Sequence, residues 1–139
     1  MTTPRILFAD DDKDILDIGI TTLKEAGYDV MPAINSDIAC FLLEQGLAFD
    51  VLVTDIVLPG VFDGFALAAK AREFIPGIRI IYSTGFGPVA RIRARGALFG
   101  DLLSKPWRSR DLLKILERQE SGRNLSRGPT KPVRIAAMS

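Results

Sequence analysis

The sequence contains no histidine and a single cysteine, Cys40. Without histidine, imidazole general acid–base chemistry, the usual zinc sites and phosphohistidine chemistry carried by the chain itself are excluded. A lone cysteine excludes an internal disulfide and any CxxC metal or redox pair. Cys40 stands beside Phe41 and Leu42 in a helical pattern and reads as core packing. Charge of one sign is also missing. The 18 Lys and Arg against 17 Asp and Glu leave a formal net charge of +1, which favours neither nucleic acid nor an anionic membrane. No apolar run approaches the roughly 18–20 residues needed to span a bilayer, and the opening MTTPRILFADD lacks the apolar segment of a signal peptide. A cytoplasmic chain with no nucleic-acid or membrane partner is the expectation. At 139 residues, 47% hydrophobic and 25% charged, it has the size and balance of one soluble domain with a single core.

What is present is a series of short apolar runs that end in polar residues. Asp50 to Gly60 (DVLVTDIVLPG) is the clearest: Val51 to Thr54 is apolar on both faces, meets Asp55, and is followed by a Pro59-Gly60 turn. That pattern fits a fully buried parallel strand. Arg5 to Ala9 runs into Asp10-Asp11-Asp12, Ile78 to Ser83 into Thr84-Gly85, and Asp101 to Ser104 into Lys105-Pro106; Asp29 to Ala33 is a weaker strand. Between them lie helical patterns. One carries Ile15, Leu16, Ile20 and Leu23 and ends at Gly27. A second is capped by Ser36 and carries Ile38, Phe41 and Leu42. A third runs from Phe65 to Phe74, and a last from Ser109 to Gln119. Val89 to Ala97, with arginines at alternate positions, is taken as a short, poorly patterned fourth helix from its place between two strands. Five strands alternating with five helices predict a doubly wound (βα)5 parallel sheet, flavodoxin-like, with helices on both faces. Right-handed crossovers then bring every strand's carboxyl end to one edge.

That edge would collect Asp10, Asp11, Asp55, Thr84 and Lys105. Each alone has a plain reading: an acidic helix start, a loop aspartate, a turn threonine, a surface lysine. Together they make a site. Clustered carboxylates repel one another and need a cation, and hard oxygen ligands favour magnesium. A lysine and a hydroxyl facing the same cation suit a tetrahedral anion. The matching chemistry is phosphoryl transfer to a carboxylate, which depends on positioning and charge neutralisation.

With ILFADDD, DIVLPGVFDG, STG and LLSKPW in strand order, residues 4–119 resemble the receiver domain of two-component response regulators. The resemblance implies that Asp55 is the phospho-acceptor. It implies that Asp11 binds Mg2+ directly, that Asp10 helps through water, and that the Val57 backbone carbonyl is a further ligand. Thr84 would be the switch hydroxyl, and Lys105 would pair with the phosphoryl group. A histidine kinase or phosphotransfer protein would be the donor, and the chain would be an acceptor rather than a turnover enzyme. Some positions depart from the common pattern. LPGVFDG is one residue longer than LPGMDG. Leu102 stands where a switch aromatic is usual, with Tyr82, Phe86 and Phe99 as substitutes. Val57 and Phe86 are apolar where polar side chains are frequent.

Residues 120–139, rich in Gly, Pro, Ser and basic residues without periodicity, read as a mobile basic tail. The expectation is a stand-alone receiver with no output domain. It would signal to a downstream protein, or form a homodimer, through the face of the fourth helix, fifth strand and fifth helix, made basic by Arg91, Arg93, Arg95, Arg108 and Arg110. Two alternatives stay open. FADDDKD loosely matches the DxD start of haloacid-dehalogenase-type phosphatases, with Asp10 as nucleophile, although the chain is short for them and Asp55 would then have no role. The other is a receiver-like interaction module that does not use phosphate.

Overall fold

The computed structural model describes residues 3–85, 100–125 and 134–135. The order is β1 (Arg5–Ala9), α1 (Lys13–Glu25), β2 (Asp29–Ala33), α2 (Ser36–Glu44), β3 (Val51–Asp55), α3 (Gly64–Phe74), β4 (Arg79–Thr84), β5 (Asp101–Ser104), α4 (Ser109–Leu125) and β6 (Arg134–Ile135). The strands form one sheet in the order β2-β1-β3-β4-β5-β6, every pair parallel. Its first five strands have the expected flavodoxin-like arrangement. The strand order reverses between β1 and β3, and the crevice beyond their carboxyl ends is where open α/β sheets bind ligands.

Side chains alternate along each strand and supply two cores. Leu7, Leu52, Ile80 and Leu102 face α2 and α3, where Ala39, Leu43, Leu67 and Ala71 are buried. Ile6, Phe8, Val53, Ile81 and Leu103 face α1 and α4, where Leu16, Leu23, Leu112 and Ile115 are buried. Caps match local chemistry. The Asp12 carboxylate accepts from the N–H groups of Asp14 and Ile15, and that of Asp63 from Ala66 N–H. Gly27, at φ +94°, turns the chain out of α1.

Helix α2 departs from the sequence reading twice. Its cap is Asn35, whose Oδ1 accepts from Ile38 N–H at 2.8 Å. Ser36 is fully buried, and its hydroxyl accepts from Phe62 N–H at 2.9 Å. Ile38 and Phe41, read as core, are 39% and 59% exposed. All six residues from Ile38 to Leu43 are apolar, so the pattern does not select a face. The helix lies down on small Ala39 and Leu43, with Cys40 and Leu42 partly buried at its flanks.

The chain's end also differs. Helix α4 runs to Leu125, past Gln119, and Arg134–Ile135 pair with Asp101 and Leu102 as a sixth strand, where the sequence suggested an aperiodic tail. A polar helix end carries no apolar period to read, and β5 offers an open edge of backbone donors and acceptors. The fourth helix expected over Val89 to Ala97, and with it part of the expected dimer face, lies outside the described residues, as do Phe86 and Phe99.

At the amino edge of the sheet, Arg79 opens β4 and Asp101 opens β5, both under 10% exposed. Arg79 Nε donates to Asp101 Oδ2 at 3.0 Å, and Arg79 Nη2 donates to Ile115 O at 2.8 Å. One guanidinium thus ties two strands to the middle of α4.

Candidate functional site

The parallel register levels the strand ends. Ala9 pairs with Thr54, Asp55 with Ser83, and Thr84 with Ser104. Asp10 and Asp55 therefore emerge level, with Thr84 one residue and Lys105 two residues beyond them on the neighbouring strands. Asp10 is fully buried and Asp55 is 8% exposed, while Asp11 is open to solvent. Lys105 Nζ lies 2.8 Å from Asp10 Oδ2 and 2.9 Å from Asp55 Oδ2. The other carboxylate oxygens are held by backbone. Asp10 Oδ1 accepts from Asp12 N–H at 2.9 Å and Asp55 Oδ1 from Val57 N–H at 3.0 Å.

Burial pushes the Asp10 carboxyl up from its ordinary range. The hydrogen bonds from Lys105 and Asp12 oppose this, and the Asp55 charge adds to it. For Lys105, burial acts to lower the pKa, but the hydrogen bonds to Asp10 and Asp55 and their charges outweigh it. The net shift is upward, so the ammonium form is held.

Oxygen ligands from Asp10, Asp11 and Asp55 lie within 4.8 Å of one another. An all-carboxylate set on an edge open to water through Asp11 fits a hard divalent cation that keeps part of its hydration. The Thr84 hydroxyl is buried, 1% exposed for the residue, and has no hydrogen-bond partner among the described residues. Such an atom costs free energy unless something it can donate to is bound beside it.

The pattern of the response regulator receiver domain matches residues 6–117. This chain belongs to that family. It is 38% identical over 115 residues to the response regulator receiver protein CpdR of Brucella abortus, covering 82% of this chain and 94% of that one. It is 34% identical over 113 residues to the DNA-binding dual master transcriptional regulator RpaA of Synechocystis, covering 79% of this chain but 46% of the longer protein. Among solved structures, a response regulator receiver protein from Sinorhizobium medicae superposes with a TM-score of 0.75 at 31% identity, covering 84% of this chain and 93% of that one. A CheY-like receiver domain from Methanospirillum hungatei gives 0.74 at 30%, covering 88% and 98%. The chain is a receiver of two-component phosphorelay signalling, a phospho-accepting module, and these likenesses do not favour the phosphatase reading.

The receiver's departures from the common pattern have structural explanations. Leu102 is fully buried in the core facing α2 and α3, and Tyr82 is 2% exposed with its ring 5.5 Å from that of Phe65. Among the described residues, no surface aromatic stands at either position. The long β3–α3 loop is strapped to the start of α2. Ser36 N–H donates to Pro59 O at 2.8 Å, the Ser36 hydroxyl takes Phe62 N–H, and Asp37 Oδ1 takes Val61 N–H at 3.4 Å. Sequence reasoning gave Ser36 only a capping role and so missed this strap. It also missed Ser83, whose hydroxyl accepts from Trp107 Nε1–H at 2.8 Å. Trp107 itself stands just before α4, its ring edge-on to Phe8.

Proposed function

We propose that Asp55 is the phospho-acceptor, taking its phosphoryl group from a histidine kinase or phosphotransfer protein. The observation that carries this reading is the placing of Lys105 Nζ between Asp10 and Asp55 at the end of the sheet where Thr84 also ends its strand, its buried hydroxyl without a hydrogen-bond partner among the described residues. An Asp55 carboxylate oxygen forms the new P–O bond while the P–N bond to the donor imidazole breaks, its electron pair leaving with the ring nitrogen. Lys105 neutralises one phosphoryl oxygen as a point charge, and Thr84 donates its hydroxyl hydrogen to another. Asp10, Asp11 and Asp55, with the Val57 backbone carbonyl, would hold Mg2+, which supplies charge neutralisation at the phosphoryl oxygens. The backbone N–H of Val57 keeps the Asp55 carboxylate in one orientation. In this reading the protein acts in the cytoplasm as an acceptor, without turnover of a substrate.

The test uses acetyl phosphate or a phosphoramidate with Mg2+ and intact-mass readout. The wild type gains one phosphoryl group and Asp55→Ala gains none. Modification mapped to Asp10, or turnover of a phosphate ester, would instead support the phosphatase chemistry. Trp107 supplies a second readout. Its indole is bonded to the residue that pairs with Asp55, so its fluorescence is expected to change on adding Mg2+ with beryllofluoride; an unchanged spectrum at saturation would argue that the site's state does not reach the indole.

A further inference from the structure

Lysine carries its charge on a flexible four-carbon stem, so holding the ammonium at one point needs a fixed backbone below it. Here two adjacent residues at the end of β4 grip the Lys105–Pro106–Trp107 segment at both ends. Lys105 N–H donates to Thr84 O at 2.8 Å, and Trp107 Nε1–H donates to the Ser83 hydroxyl at 2.8 Å. Ser83 is 1% exposed and lies directly across the sheet from Asp55. The same indole leans edge-on against Phe8, with ring centroids 6.2 Å apart, and Phe8 stands two residues before Asp10 on β1. Trp107 is therefore referenced to β4 through a hydrogen bond and to β1 through its ring. The two carboxylates that Lys105 touches are Asp10, directly after β1, and Asp55, the last residue of β3, the strand that β4 pairs with.

We infer that Ser83 and Trp107 form a positioning pair that sets where the Lys105 ammonium stands against Asp55. The inference rests on the proposed role of Asp55 as acceptor. Phosphoryl transfer takes its rate from placement, and a displacement near 1 Å at a charged group costs as much as about 100-fold. A part-buried indole N–H and a buried hydroxyl also satisfy each other here. If that were their whole role, losing the bond would loosen the β4–α4 junction without selecting among the site's properties.

The experiment compares full-length wild type with Ser83→Ala, Trp107→Phe, the double variant and Ser83→Thr. It reads phosphorylation rate from acetyl phosphate at saturating Mg2+, beryllofluoride affinity and Mg2+ affinity. Ser83→Ala and Trp107→Phe are each expected to lower the first two by about 10–100-fold. The double variant should be no worse than the weaker single, as for two ends of one bond. Ser83→Thr, which keeps the hydroxyl, should recover most of the loss. Mg2+ affinity should hold or rise, because the three carboxylates are untouched. Loss of Mg2+ affinity in step with beryllofluoride affinity would show a general loosening and overturn the inference, as would wild-type rates in both single variants. Failure of wild type itself to take phosphate on Asp55 would remove the acceptor reading first, and is seen before any variant is compared.

Discussion

Replacing Arg79 with methionine is expected to lower the unfolding free energy by about 3–5 kcal/mol, the usual cost of removing one member of a buried ion pair. Arg79 and Asp101 are 8% and 3% exposed, and the guanidinium also donates to the Ile115 carbonyl in the middle of α4. The substitution takes the cation from beside a buried carboxylate and the donor from a helix carbonyl in one step. A second substitution, Asp101→Leu, is expected to return most of the loss, because a well-packed apolar pair can equal a buried ionic one. Urea unfolding with unchanged slope would report both effects as shifts in midpoint. A loss below about 1 kcal/mol for Arg79→Met would place this pair among weak, solvent-relaxed bridges. Because it lies at the amino edge, opposite Asp55, the folded fraction of the variant should take phosphate on the proposed acceptor as the wild type does.

Lys105→Met separates two properties that share a pocket. Removing one preorganised donor from a site of developing charge typically costs about 10²–10³-fold in rate, and the rate of phosphoryl transfer to Asp55 should fall by that order. Mg2+ affinity should move the other way or stay level. The ammonium stands 2.8 and 2.9 Å from carboxylate oxygens of Asp10 and Asp55, and its upward-shifted pKa keeps it charged across the neutral range. It therefore competes with a divalent cation for the same negative charge. Stopped-flow phosphorylation and a Mg2+ titration would measure the two separately. A variant that lost both together would show that the lysine supports the carboxylates' geometry more than it opposes their occupancy.

The two predictions sit at opposite edges of the sheet, and only one edge was readable from the sequence. Apolar runs that stop at Asp10, Asp55, Thr84 and Lys105 declare both a strand and its end, and parallel winding does the rest. Nothing comparable marks Arg79 and Asp101. Each begins a strand, where a charge normally reaches water, and their pairing depends on β4 lying beside β5. Ser36 was misread for a related reason. A serine before a helix usually caps it, but Asn35 already does so, which frees the buried hydroxyl to hold a loop from the other side of β3. The face of α2 was illegible because the helix is apolar nearly all round. Residues Arg134–Ile135 were illegible because two residues are too few to carry a period.

The start of α3 bears on how receivers of this kind vary. Gly64 N–H donates to Ile56 O at 2.8 Å, and a side chain at position 64 would collide with the carbonyl of Asp55 and come within 2.6 Å of Ile56 Cα. The helix thus lands on the main chain of Asp55 and Ile56, while Ser36 and Asp37 moor the residues before it. The loop before it is held at Pro59, Val61 and Phe62, so its path is fixed from α2 while the landing point of α3 tolerates no added side chain.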